Sequence, residues 1–161
     1  MELAANITLA ALVQQVLVGL SRTTILFIVA SGLSLVLGVL RIPNVAHGSL
    51  YMTGAFVTYT VATLFGQSTL GFWLALIVAP LVVALLSFIA ERGLFCHLYE
   101  REHMMLLLFT FAFSLVIGDL VKLIWGSDYR SLVAPVFLQG SFSISGFPFP
   151  RYNLFLLVIG P

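Results

Sequence analysis

The hydrophobic residues of this chain fall into long runs that charged residues separate. The 18 residues from Thr23 to Leu40 carry no charge, which is close to the ~20 that a helix needs to cross the hydrocarbon core of a bilayer. Residues 42–90 contain no Asp, Glu, Lys or Arg, and this stretch is long enough for two crossings joined by a turn at 65–71. The pattern predicts four membrane spans, at about 23–40, 48–64, 72–90 and 104–125.

The two ends of the chain fit the pattern less well. Residues 3–21 are uncharged, but polar side chains such as Gln14 and Gln15 interrupt them, so an N-terminal helix here suits an interfacial or partly buried position as well as a crossing. Residues 152–161 begin another apolar run that has only half the length of a span. We therefore expect residues 1–161 to form a single transmembrane domain that is incomplete at its C-terminus.

Two polar stretches are expected outside the hydrocarbon core. The first, from Glu91 to His103, contains two arginines and three glutamates. The second, from Gly126 to Arg151, is rich in proline and glycine, and within it serines at 141, 143 and 145 alternate with Phe142 and Ile144. This alternation predicts a short extramembrane β-hairpin.

The composition excludes most other classes of protein. Hydrophobic residues make up 61% of the chain and charged residues 8%, too few to cover a water-soluble surface. A net charge of +1 offers no broad basic face for nucleic acid, and the motifs of phosphate-binding loops and nucleophile elbows are missing. We expect an all-α polytopic membrane protein whose partner is the lipid bilayer, with no enzymatic activity, catalytic residues, metal or cofactor.

Small residues recur every four positions on the first two spans. Such residues let helix backbones approach closely, which is how helices pack in a membrane. The predicted packing residues are Ala30, Ser34 and Gly38 on the first span, and Gly54, Thr58 and Ala62 on the second. The alternative is that small residues are simply abundant in membrane helices.

Two charged residues interrupt the fourth span near its end. Asp119 and Lys122 are three positions apart, so they lie on one helix face and are spaced to form an ion pair. Pairing would lower the cost of placing two charges near the membrane interface. Contact with a substrate is the alternative role.

The most informative segment lies between the first two spans. Pro43 disfavours helical geometry at Ile42, and Asn44 can cap the helix that follows. Interrupted helices often line a transport path, because irregular backbone is tolerated at membrane depth only beside protein or water. The alternative is a tight polar turn at the membrane face. We call residues 44–51 the broken segment, and its candidate substrate-path residues are Asn44, His47, Gly48, Ser49 and Tyr51.

The run from Gly32 to Ala55 resembles the permease subunits of bacterial ABC importers for branched-chain amino acids, the Liv type. In that family an Asn-Phe-Ala-His-Gly motif is followed by an acidic residue, and residues 44–49 read Asn-Val-Ala-His-Gly-Ser here. Val45 thus replaces the usual Phe, and Ser49 stands where Glu is common. The resemblance covers the whole chain but only about the N-terminal half of a family member.

The resemblance implies the N-terminal portion of a helix-bundle permease in the bacterial inner membrane. We expect it to move its substrate by alternating access. The resemblance implies a second permease subunit, two ATP-binding subunits that hydrolyse ATP, and a periplasmic substrate-binding protein as partners. It also favours a cytoplasmic position for residues 91–103 and a periplasmic one for residues 126–151. Two alternatives remain: a permease for urea or short amides, and a truncated membrane subunit that does not transport.

Overall fold

The computed structural model describes residues 9–40, 44–99, 101–144 and 147–159. Its helices are α1 (Leu9–Leu35), α2 (His47–Leu64), α3 (Thr69–Gly93), α4 (His103–Trp125) and α5 (Arg151–Ile159), and its strands are β1 (Ser141–Ile144) and β2 (Phe147–Pro150). Single turns of π-helix at Val36–Leu40 and of 3-10 helix at Phe95–His97 and Val136–Leu138 complete the secondary structure of these residues. The chain divides into two compact units, one of residues 33–133 and one of residues 1–32 with 134–161.

Three helical stretches in the described ranges are long and apolar enough to cross a membrane. They are Ala11–Val39, Thr69–His97 and His103–Trp125. Together with the hairpin they confirm the predicted class, an all-α polytopic membrane protein. The helix α2 is not among the three, because threonine, tyrosine and glycine dilute its apolar residues. The crossing at 48–64 therefore stays a prediction.

The first helix differs from the prediction of a separate helix at 3–21 and a span starting at residue 23. Helix α1 runs without interruption through Ser21 and Arg22, while residues 3–8 lie outside the described part of the chain. The hydroxyls of Ser21, Thr23 and Thr24 donate to carbonyls of the preceding turn at 2.9–3.1 Å. The three hydroxyl groups are satisfied within the helix, and the Arg22 side chain is exposed. None of these four residues therefore interrupts α1.

Helix α2 lies antiparallel to α3 at a small-residue contact. A Cβ atom added at Gly54 would lie 3.4 Å from Val83, and one added at Gly71 would lie 3.0 Å from the Cβ of Phe65 and 3.3 Å from the Ala62 carbonyl oxygen. Helix α3 contributes a row of small buried residues at intervals of four, namely Gly71, Ala75 and Ala79. The predicted packing residues do not include this row.

The two predicted small-residue ladders have different surroundings. On α2, Ala62 is buried, Gly54 faces α3 and the Thr58 hydroxyl donates to the Gly54 carbonyl at 2.8 Å. On α1 and its π-helical turn, Ala30, Ser34 and Gly38 are exposed. A packing role for this second set stays a prediction.

The turn between α2 and α3 is shorter than the predicted 65–71. The amide of Gln67 donates to the Ala62 carbonyl at 2.8 Å and that of Gly66 to the Thr63 carbonyl at 3.0 Å, the double hydrogen bond of a Schellman motif. Gly66 supplies the positive φ of 62° that this ending requires. The Ser68 hydroxyl then accepts from the Gly71 amide at 3.2 Å and caps α3, which therefore begins at Thr69.

The second unit contains the predicted β-hairpin. Strands β1 and β2 pair antiparallel, with Ser141 opposite Pro150 and Ile144 opposite Phe147, so the hairpin prediction is confirmed. Phe149 is buried, and the guanidinium of Arg151 lies 4.8 Å from the ring centroid of Phe142. The hairpin leads directly into α5, the described part of the predicted run at 152–161.

The close contact at Gly71 generates a first prediction. Gly71→Ala should destabilise the protein by about 1–3 kcal/mol, because the new methyl group meets the backbone of Ala62 and the Cβ of Phe65. Gly118→Ala is the matched control, since its Cβ would meet no heavy atom within 4 Å and alanine favours the helix. Thermal unfolding in detergent measures both, and equal melting temperatures for the two variants would contradict the packing argument.

Candidate functional site

The broken segment begins with a turn that Asn44 closes. The Asn44 Oδ1 atom accepts a hydrogen bond from the Ala46 amide at 3.0 Å, which is the geometry of an Asx turn. The His47 amide donates to the Asn44 carbonyl at 3.4 Å. The prediction that Asn44 caps the following helix is wrong in detail: the N-cap is Ala46, because the Asx turn places the helix start two residues later.

The first turn of α2 is buried although it carries hydroxyl groups. Ala46 is fully buried, and Ser49 and Thr53 are buried as well. The Ser49 hydroxyl donates to the Ala46 carbonyl at 2.8 Å, and the Thr53 hydroxyl donates to the Ser49 carbonyl at 2.8 Å. Each hydroxyl is satisfied within its own helix, so the buried face of α2 carries no uncompensated polar group at these positions.

The predicted substrate-path residues lie on different faces of α2. Ser49 is on the buried face, whereas Gly48 and Tyr51 are exposed and, being three residues apart, lie on the same side of the helix. A Cβ atom added at Gly48 would meet no heavy atom within 4 Å, so this side is open. His47 is half-buried between the two faces. The structure thus brings Gly48 and Tyr51 together and separates Ser49 from them.

Helix α4 supplies a partner for the broken segment that sequence analysis missed. The Thr110 hydroxyl accepts from the Val45 amide at 3.3 Å and donates to the Leu107 carbonyl at 3.0 Å. Thr110 is 1% exposed, the lowest value of any threonine among the described residues. The available signal was that Thr110 is the single polar residue in the apolar run 104–113.

The contact with Thr110 gives the depth of the broken segment relative to α4. Helix α4 has 23 residues and is therefore about 34 Å long, slightly more than the ~30 Å of a bilayer core. Thr110 lies seven residues after His103, about 10 Å along the helix axis. The start of α2 therefore lies beside the interior of an apolar helix and not beside its end.

The other end of α2 is joined to the end of α4. The Trp125 indole Nε1 donates to the Thr60 hydroxyl at 2.7 Å, and the ring centroids of Trp125 and Phe56 are 5.5 Å apart. A guanidinium nitrogen of Arg130 donates to the Trp125 carbonyl at 3.1 Å, and this guanidinium lies 5.6 Å from the ring centroid of Tyr59. Helices α2 and α4 therefore run parallel, with hydrogen bonds between residues 65 positions apart at both ends of α2.

The charged residues of α4 lie close together. The Lys122 Nζ atom is 3.2 Å from the Asp119 Oδ1 atom, and both side chains are largely exposed. Exposed pairs of this kind contribute about 0–1 kcal/mol in water. The pair lies one to two turns before the end of α4 at Trp125, where the cost of a charge in the membrane falls.

The polar stretch between α3 and α4 is anchored to both helices. Phe95 is buried, and its ring lies edge to face against Phe109 and Phe113, with centroids 5.6 and 5.4 Å away. The Tyr99 hydroxyl donates to the Glu91 carboxylate. Partial burial, and then this hydrogen bond, raise the pKa of the Tyr99 phenol above its ordinary value, so the phenol stays neutral. The side chain of Glu100 lies outside the described residues.

The three helices that are long and apolar enough to span a membrane define a multi-pass membrane protein. The chain belongs to the family of permease components of branched-chain amino acid transport systems, whose model matches residues 15–159. This confirms the resemblance seen in the sequence. Membership of this family implies a transporter complex with other subunits. The family is one of transporter permease components and is not a known enzyme family. No curated protein and no solved structure matches the chain.

The junction of α2 with Trp125 generates a second prediction. Thr60→Val should lower the free energy of unfolding by about 1 kcal/mol, because the half-buried Trp125 indole loses its acceptor. Thr63→Val is the matched control, since its hydroxyl donates only to carbonyls of its own helix, Tyr59 and Thr60. Tryptophan fluorescence during thermal unfolding measures the difference. A Thr63→Val variant as unstable as Thr60→Val would mean that the indole bond contributes nothing.

Proposed function

We propose that this chain belongs to a permease subunit of an ATP-driven importer of branched-chain amino acids in the bacterial inner membrane. The observation that carries the proposal is the family match over nearly the whole chain. The partners are a second permease subunit, two ATP-binding subunits on which ATP is hydrolysed, and a periplasmic substrate-binding protein that selects the substrate. Substrate moves by alternating access, as the paired permeases rock between two orientations.

The broken segment is the proposed part of the substrate path. Its depth beside α4 supports this role, because a turn at the membrane face would lie level with the end of α4 and not with Thr110. The open side of α2 at Gly48 and Tyr51 offers space next to the helix start. Amide groups in the first turn of a helix carry partial positive charge, so they suit the carboxylate of a zwitterion as it passes.

The absence of formal charge in the broken segment agrees with the proposed substrate class. Residues 44–51 include no Asp, Glu, Lys or Arg. An amino acid with an apolar side chain is a zwitterion without net charge, so dipoles and apolar contacts suffice to pass it.

The substrate assignment leads to a third prediction. In-frame deletion of this gene from its intact locus should abolish uptake of labelled leucine, isoleucine and valine and leave uptake of labelled urea unchanged. Complementation with the full-length gene is the control and should restore uptake. Loss of urea uptake alone would transfer the function to the urea permease, and no change in either would indicate a subunit that does not transport.

The Asx turn leads to a fourth prediction. In the full-length protein, Asn44→Ala should lower the maximal rate of leucine uptake about five-fold, because the Ala46 amide loses a hydrogen bond worth about 1 kcal/mol. Asn44→Asp keeps the acceptor oxygen and should retain more of the rate than Asn44→Ala. Initial uptake rates, corrected for the amount of protein in the membrane, measure the effect. Unchanged uptake by Asn44→Ala would remove Asn44 from the path.

A further inference from the structure

The Val45 amide is a backbone group that α2 cannot satisfy. Helix α2 begins at His47, so Val45 lies before its N-cap Ala46 and has no carbonyl one turn earlier within the helix to accept from it. In a membrane such a group needs a partner from protein or water, because an unsatisfied amide costs several kcal/mol in hydrocarbon. The partner in this structure is the Thr110 hydroxyl, 3.3 Å away.

The Thr110 hydroxyl is held in place by its own helix. It donates its proton to the Leu107 carbonyl at 3.0 Å, and its oxygen accepts from the Val45 amide. Burial to 1% exposure surrounds the side chain with protein. The hydroxyl is therefore a fixed acceptor on a helix that is long and apolar enough to span the membrane.

We propose that Thr110 is a positioning residue for transport, which fixes the height and orientation of the broken segment against α4 through the Val45 amide. This proposal rests on the proposed function of the broken segment as part of the substrate path. Thr110 does not contact the substrate. It keeps the start of α2 aligned with α4, while the bond between Thr60 and Trp125 holds the other end of α2.

The test compares Thr110→Val, which keeps the shape but removes the hydroxyl, with Thr110→Ser, which keeps the hydroxyl. Thr63→Val is the matched control, because its hydroxyl bonds only within α2. All variants are made in the full-length protein within its transporter complex. Hydrogen exchange of the peptide that contains Val45 and the KM and Vmax of leucine uptake are measured for each.

Thr110→Val should speed exchange of the Val45 amide about five-fold and lower the Vmax of leucine uptake about five-fold. The KM should stay within two-fold of the original value, because the binding protein captures the substrate. Thr110→Ser and Thr63→Val should keep both values within two-fold. Exchange in the peptide of the turn at Gly66 and Gln67 should not change, which separates a local effect from general loosening of the fold.

Three results would overturn the proposal. They are unchanged exchange at Val45 in Thr110→Val, unchanged Vmax despite faster exchange, and a Thr110→Ser variant as defective as Thr110→Val. If Thr110→Val does not assemble, Thr110→Ala removes the hydroxyl with less bulk and is measured in its place. If the original complex transports no branched-chain amino acid, the proposed function fails, whereas the exchange measurement still decides whether Thr110 holds the broken segment.

Discussion

The structure depends on the rule that a backbone amide or carbonyl in hydrocarbon must have a partner. An uninterrupted helix meets this rule by itself, but Val45 and Ala46 precede α2 and lie beside the interior of α4. Two side chains supply what the backbone lacks: Asn44 accepts from the Ala46 amide, and Thr110 accepts from the Val45 amide. These two acceptors satisfy the amides that precede α2. Each acceptor is a single side chain, so each can be tested by one substitution.

Helix α2 is the least apolar of the long helices and makes contact with two others. Against α3 it uses small residues, with Gly54 facing Val83 and Ala62 beside Gly71, so the two backbones come close without hydrophobic driving force. Against α4 it uses hydrogen bonds at Val45 and Thr60. Its remaining threonine hydroxyls donate to carbonyls of the preceding turn, so a helix with many polar residues presents few free polar groups to its neighbours.

The features that sequence analysis predicted correctly are local in the chain. Alternation of serine with Phe142 and Ile144 is a period-2 pattern, and it gave the hairpin. The resemblance, carried by contiguous residues, gave the family. The prediction of one helix ending at residue 21 and another starting at residue 23 is wrong, because the long exposed side chain of Arg22 can extend from a continuous helix. Thr110 and Trp125 were missed because their partners are 65 residues away, and no local period encodes such a pairing.

The equal spacing of the two pairings has a mechanical consequence. Thr110 and Trp125 are 15 residues apart, about 22 Å along α4, and their partners Val45 and Thr60 are also 15 residues apart in the chain. Sliding α2 against α4 by one turn, about 5.4 Å, would break both bonds together and would leave an amide and an indole without their acceptors. The lowest-cost motion therefore carries α2 and α4 as one body. On the proposed role of Thr110, the broken segment and α4 move together during transport.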